Sequence, residues 1–104
     1  MRGIVWGLTS KDAIIKLKAI EEDYRPYTDV VTCRKTKNTY EIIFENGDHW
    51  IACNATEAQR GRKCNVSYID ARIDQEIINR IITPCTIAYP FHAFSYFYDF
   101  VDEE

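Results

Sequence analysis

An Asn-Gly dipeptide at positions 46 and 47 constrains the fold of this chain more than any other feature. Apolar residues recur at every second position over residues 39–45, and a second apolar stretch covers residues 49–53. Asn-Gly favours the two positive φ angles of a type I′ turn. The sequence therefore predicts a β-hairpin with a two-residue loop.

The two-residue loop also determines which side chains share a face of the hairpin. It pairs Phe44 with His49, and because the side-chain period of a strand is two, this register fixes every other position. One face would carry Tyr40, Ile42, Phe44, His49, Ile51 and Cys53. Trp50 would lie with Ile43 on the reverse face. Since both faces carry apolar residues, we expect the hairpin to be covered on both sides.

Strands and helices alternate along the rest of the chain. Further strands are predicted at residues 3–8, 29–33, 65–70 and 85–89. A helix capped by Ser10 follows the first strand and stops before Pro26, and a second helix capped by Asp74 ends at Thr83 and Pro84. This order predicts a single α/β domain over residues 1–104, with a mixed β-sheet, a β-hairpin and two flanking helices.

Composition narrows the possible functions. The net charge of −3 argues against nucleic-acid binding through bulk charge. No apolar run approaches the ~20 residues of a membrane span, and the apolar stretch at the N-terminus is too short for a signal peptide. The four cysteines form no C-x-x-C pair, which disfavours a zinc ribbon. These features predict a cytoplasmic protein without a membrane segment and with reduced thiols.

The middle of the chain is similar to a known family of nucleotide-driven motors. Residues 42–84 read IIFENGDHWIACNATEAQRGRKCNVSYIDARIDQEIINRIITP. They contain a strand with the Asn-Gly turn, a polar loop with Arg60 and Gly61, an apolar strand ending in Asp70, and a helix ending near a proline. This order resembles the ATPase core of the large terminase subunit of tailed bacteriophages, a P-loop NTPase. Residues 3–24 resemble the strand and helix that follow the phosphate-binding helix in that family.

The resemblance implies a truncated core that does not hydrolyse nucleotide. Asp70 matches the Walker B aspartate, which helps to hold Mg²⁺ in the family, but Ala71 stands where the family has a water-activating glutamate. A methyl group cannot orient or deprotonate a water molecule. The sequence also has no G-x-x-x-x-G-K-[ST] phosphate loop, the Walker A motif. We therefore expect no catalytic residues and no cofactor, with Asp70 as a weak candidate metal ligand.

Two surfaces are candidates for binding. The resemblance divides the chain into a motor-core-like part, residues 1–88, and an aromatic and acidic C-terminal segment, residues 89–104. A basic loop could contact phosphate or nucleic acid, or it could simply be solvated: Arg60, Arg62 and Lys63. The aromatic segment could close the core or form an interface with a partner: Phe91, Phe94, Tyr96, Phe97, Tyr98 and Phe100.

Three functions remain open from the sequence. If the motor core has lost a strand, a sheet edge is left uncovered, and either the C-terminal aromatic residues fold back over it or a second chain covers it. The first function is therefore a phage or prophage accessory protein in the cytoplasm of a bacterial host, acting as a homodimer or by binding another protein as a modulator or inhibitor. The second is a small nucleic-acid-binding protein that uses the basic loop. The third is a metal-dependent enzyme built from Asp70, Asp74, Glu76 and a histidine.

Overall fold

The structure is a computed structural model that describes residues 1–86 and 93–101. Within these residues the strands are β1 (Arg2–Gly7), β2 (Val30–Lys35), β3 (Tyr40–Phe44), β4 (His49–Asn54), β5 (Val66–Asp70) and β6 (Phe94–Tyr98). Helix α1 is Ser10–Tyr24. A composite helix, residues 75–85, joins α2 (Gln75–Ile77), a π-helical segment (Ile78–Ile82) and α3 (Thr83–Cys85). A 3₁₀ turn covers Glu57–Gln59.

All six strands belong to one mixed sheet in the order β2-β3-β4-β1-β5-β6. Strands β4, β1, β5 and β6 run parallel to one another, and β3 is antiparallel to both of its neighbours. The predicted α/β class with a mixed sheet is confirmed.

Helix α1 covers one face of the sheet. The side-chain oxygen of Thr9 caps it by accepting the backbone N–H of Asp12 at 3.2 Å, so the predicted cap at Ser10 is wrong by one residue. The buried stripe of the helix packs in one apolar cluster with the central strands: Ala13, Leu17, Ile20, Val5, Ile42, Trp50 and Ala52. The spacing of this stripe follows the helical period, which is why the sequence located α1 correctly.

The composite helix 75–85 covers the opposite face. Its buried residues pack against the other side of β1, β4 and β5: Ile78, Ile81, Ile82, Cys85, Ile4, Trp6, Ile51 and Ile69. The predicted end at Thr83 and Pro84 is too early, because the helix continues to Cys85. The π-helical segment ends at Ile82, and Pro84 lies in the first turn of α3, where a missing N–H is tolerated. The strand predicted at 85–89 is wrong at Cys85, and residues 87–89 lie outside the described residues.

The hairpin forms at the predicted place but with a longer loop. The backbone N–H of Phe44 donates to the carbonyl of Asp48 at 2.9 Å, and the N–H of Gly47 donates to the carbonyl of Phe44 at 2.9 Å. Within this turn only Gly47 has a positive φ, of 95°, so the turn is not type I′. The geometry is a three-residue loop in which glycine supplies the left-handed position.

The extra loop residue shifts the register by one position. Ile43 pairs with His49 and Ile42 pairs with Trp50, whereas the two-residue loop would have paired Phe44 with His49. The predicted face assignment of β4 is therefore wrong. Trp50 shares the face of Ile42 and lies beneath α1, and it is 2% exposed. A shift of one residue exchanges the two faces of a strand.

The C-terminal segment contributes a strand that the sequence did not indicate. Strand β6 pairs in parallel with β5, from Val66 with Phe94 to Asp70 with Tyr98. Strand β6, within the predicted C-terminal segment 89–104, is therefore part of the same sheet as β1 to β5. The cysteines form no disulfide: Cys53, Cys64 and Cys85 are buried and Cys33 is exposed. Burial raises the pKa of Cys53 to about 12, so its thiol stays protonated at neutral pH.

Candidate functional site

The carboxyl ends of β1 and β5 lie side by side at a switch point of the sheet, and we call the position between them the crevice. These neighbouring strands are parallel, and β1 continues into α1 on one face whereas β5 continues into helix 75–85 on the other. Such a switch of connection opens a gap between the two strand ends, and ligands of open α/β sheets bind at this position. The crevice is therefore the first place to look for a catalytic or binding site.

The side chain of Arg72 occupies this crevice. Its Nη2 donates to Oδ2 of Asp70 at 2.6 Å and to Oδ2 of Asp12 at 2.8 Å, and its Nε donates to Oδ1 of Asp70 at 3.1 Å. The backbone N–H of Arg72 also donates to Oδ1 of Asp70, at 2.9 Å. Asp12 lies in the first turn of α1 and Asp70 ends β5, so one guanidinium joins the elements on both sides of the crevice. We call these three residues the Arg72 cluster.

The charge on Asp70 is stabilised although the residue is 0% exposed. Burial alone would raise the pKa of Asp70, but the hydrogen bonds and charge of Arg72, with the backbone N–H of Leu8, leave it below its usual value. The same contacts with Asp70 and then Asp12 raise the pKa of Arg72. Asp70 therefore remains a carboxylate at neutral pH, and its oxygens already accept hydrogen bonds from within the protein.

Two aromatic residues of the C-terminal segment close the crevice. The hydroxyl of Tyr98 donates to the carbonyl of Trp6 at 3.0 Å, and the backbone N–H of Ala71 donates to the carbonyl of Tyr98 at 2.9 Å. The ring of Phe100 lies over Arg72, 4.7 Å from Cζ to the ring centroid. Cation–π contact of this kind holds a guanidinium against an aromatic face. Tyr98 and Phe100 thus belong to the body of the domain.

The predicted metal-site residues do not come together. A cation at Asp70 would have to displace Arg72 from an oxygen it contacts at 2.6 Å. Asp74 and Glu76 are exposed at the start of helix 75–85, where Oδ1 of Asp74 accepts the backbone N–H of Glu76 at 3.5 Å. Among residues 1–86 and 93–101, no three His, Cys, Asp or Glu side chains form a group that could hold a metal ion. Ala71, at the position of the family's glutamate, is exposed.

The three basic side chains of the loop do not lie together in the structure. Arg60 forms an exposed ion pair with Glu57, with 3.4 Å between Nη1 and Oε2. Arg62 and Lys63 instead line a cleft of about 260 Å³, together with Arg2 from the start of β1. The remaining lining residues are Gly3, Ile4, Glu41, His49, Ile51 and Gly61. The sequence did not place Arg2 near the loop, because residues 2 and 62 meet only through the pairing of β1 with β5.

The aromatic residues of β6 are mostly exposed. Phe94, Tyr96 and Phe97 are 48%, 46% and 61% exposed, and we call them the β6 aromatic surface. The ring of Tyr96 stacks on Tyr68 of β5, with 5.3 Å between centroids, and the ring of Phe94 lies 6.2 Å from that of Tyr96. Phe91 lies outside the described residues. The predicted interface set therefore divides into an exposed group on β6 and the two residues that close the crevice.

Comparisons with known proteins give no match. No family model matches the chain, and searches of curated proteins and of solved structures find no significant similarity. Within the part of the chain that the structure describes, no helix combines the length and apolar character needed to cross a membrane. The terminase resemblance therefore stays a prediction from the sequence.

Proposed function

We propose that this chain is a non-catalytic binding protein whose β6 aromatic surface joins it to a second copy of itself. The observation that carries this proposal is an edge strand with three exposed aromatic side chains. The terminase resemblance suggests the setting, an accessory protein of a tailed phage or prophage that modulates or inhibits another protein in the bacterial host.

The chemistry of β6 favours pairing with another strand. Its sequence, FSYFY, has no charge and no proline, and among the described residues no strand pairs with its outer edge. Natural edge strands are usually protected by charges, prolines or bulges, and an edge without them is a template for pairing. Tyrosine and phenylalanine bury large areas at low entropic cost, which suits interfaces.

A two-fold axis at Tyr96 gives a self-complementary arrangement. In an antiparallel pair centred there, Tyr96 lies opposite the partner's Tyr96, Phe94 lies opposite the partner's Tyr98, and Ser95 lies opposite the partner's Phe97. Each aromatic residue stays on its own face of the extended sheet, so the stack of Tyr68 and Tyr96 continues across the axis. Isologous pairing of one patch with itself is the commonest interface of soluble oligomers.

The exposed area sets the expected strength of the dimer. A half-exposed aromatic side chain offers ~100 Å² for burial, so three from each chain give ~600 Å² in total. This is below the ~1,200–2,000 Å² of a standard stable interface. We therefore expect a concentration-dependent dimer that dissociates on dilution.

Sedimentation velocity over a range of protein concentrations tests the dimer. Tyr96→Lys puts a charge at the centre of the proposed interface and should leave a monomer at all concentrations. Tyr27→Lys is the matched control, because Tyr27 is 87% exposed but lies in the turn after α1, away from β6. If the unmodified chain stays monomeric at high concentration, or if both variants dimerise equally, the proposed self-association is wrong.

The absence of catalysis is a separate part of the proposal. The Arg72 cluster supports it, because the carboxylate that the resemblance aligns with a metal ligand is held by an arginine. We expect no phosphate release from Mg-ATP by the purified chain, measured with ATP in excess over protein. Steady release that is lost in Asp70→Asn would overturn this part of the proposal without affecting the dimer.

A further inference from the structure

The cleft between the start of β1 and the basic loop combines three cations from two separate segments. Arg2 is the first residue of β1, and Arg62 and Lys63 lie in the loop before β5. Among the described residues, no carboxylate forms an ion pair with any of these three side chains. Arg62 is oriented by a hydrogen bond from its Nε to Oε1 of Gln59, which is buried.

The one acidic residue in the cleft lining faces a histidine. Glu41 lies on β3, and its Oε2 is 3.0 Å from Nε2 of His49 on β4. The lining therefore carries three cations and one carboxylate, and the carboxylate faces histidine. A surplus of positive charge in a concave site attracts anions, because low-dielectric walls concentrate the field.

We propose that this cleft binds a phosphate group. Guanidinium groups donate two parallel hydrogen bonds to phosphate oxygens, and lysine adds a mobile point charge. The volume of about 260 Å³ is smaller than the ~300–1,000 Å³ of typical small-molecule sites. The cleft therefore suits one or two phosphate groups, either of a small free phosphate compound or of a nucleic-acid backbone.

The site differs from a general basic loop in the role of Arg60. A solvated loop that bound phosphate by charge alone would use all three of its cations. In the structure, Arg60 pairs with Glu57 and does not line the cleft, whereas Arg2 does. The cleft proposal therefore predicts that removing Arg62 weakens phosphate binding, whereas removing Arg60, two residues earlier in the sequence, does not.

Binding measurements with two probes test the site. Pyrophosphate is titrated by calorimetry, and a fluorescein-labelled oligothymidine is titrated by anisotropy, both at low salt. The double variant Arg62→Ala/Lys63→Ala should weaken binding at least tenfold, and Arg2→Ala should weaken it severalfold. Arg60→Ala should stay within twofold of the unmodified chain. Thermal unfolding of each variant checks that the fold is retained.

The two probes distinguish the sources of the phosphate. Binding of pyrophosphate alone indicates a free phosphate compound, and binding of the oligonucleotide alone indicates a nucleic-acid backbone, whose affinity should fall steeply with salt. Either result supports the cleft if the variants follow the order above. The proposal is wrong if neither probe binds, or if Arg60→Ala weakens binding as much as the double variant.

Discussion

Removing the hydroxyl of Tyr98 should destabilise the domain, because this group ties the last described strand to the first. Tyr98 is 9% exposed, and its hydroxyl donates to the backbone carbonyl of Trp6 at 3.0 Å across the crevice. Tyr98→Phe keeps the ring and removes only the donor. A lost buried hydrogen bond of this kind costs about 1 kcal/mol. For a domain of this size, that corresponds to a fall in Tm of ~4–8 °C.

The control for this variant lies two residues away. Tyr96→Phe makes the same chemical change at a side chain that is 46% exposed, where substitutions usually change stability by less than ~0.5 kcal/mol. Urea unfolding followed by circular dichroism, at low protein concentration, compares both variants with the unmodified chain. If Tyr98→Phe is as stable as Tyr96→Phe, the Tyr98–Trp6 hydrogen bond does not hold β6 in place.

Alkaline pH gives a second check on the same residue. Burial, together with the nearby charges of Asp70 and Asp12, raises the pKa of Tyr98 above its usual value. Because the pKa of Tyr98 is higher in the folded state, the folded protein keeps this proton at pH values where the unfolded chain loses it. The stability that the protonated hydroxyl contributes is therefore complete below pH ~10 and decreases above it, as the unfolded tyrosine ionises. Phenylalanine has no proton to lose. The difference in stability between the unmodified chain and Tyr98→Phe should therefore narrow above pH ~10.

Two further predictions concern the crevice and the sheet. The lowered pKa of Asp70 stabilises the fold above the unfolded value of ~3.9, and this contribution is lost as pH falls through the folded value. Asp70→Asn should therefore be less stable at pH 7 by ~1–3 kcal/mol and show a shallower loss between pH 5 and pH 2 in urea titrations. Equal acid slopes would contradict this. Gly3→Ala would place a Cβ 2.5 Å from the ring of Trp50, and overpacking of this kind costs ~1–3 kcal/mol, measurable by thermal unfolding. An unchanged Tm would show that Trp50 can move.

The hairpin shows what sequence reasoning can and cannot settle. Alternation over residues 39–45 and the Asn-Gly dipeptide placed β3, β4 and the turn correctly. Loop length was not determined, because Asn46-Gly47 fits both a type I′ turn and a three-residue loop with glycine in the left-handed position. The choice between them depends on packing, since only the observed register buries Trp50 under α1.

The strand β6 was missed for a different reason. Its five residues have no polar and apolar alternation, so the period that reveals a half-buried strand is absent. Its pairing with β5 joins Val66 to Phe94, a contact that no local pattern encodes. The aromatic content drew attention to the segment, but its division into buried Tyr98 and exposed Tyr96 depends on the tertiary structure.

The Arg72 cluster also required the fold. Arg72 and Asp12 are 60 positions apart, and they meet because β1 lies beside β5. Asp70 was singled out because the resemblance aligns it with the Walker B aspartate at the end of an apolar strand, but its partner Arg72 was not foreseen. An arginine two residues after a strand-ending aspartate is the local signal that could have suggested an internal ion pair, since such pairs neutralise buried carboxylates.

Charged side chains lie at both ends of this sheet, and their arrangement is the reverse of what the fold class leads one to expect. Open α/β sheets bind ligands at the carboxyl ends of their parallel strands. Here that end holds Arg72 between Asp12 and Asp70, so the position is filled by the protein's own cation. Three cations that form no ion pair with a described residue, Arg2, Arg62 and Lys63, lie instead at the start of β1 and in the loop before β5. Because attraction of an anion requires charge that is not already paired, a search for ligands should begin at the cleft.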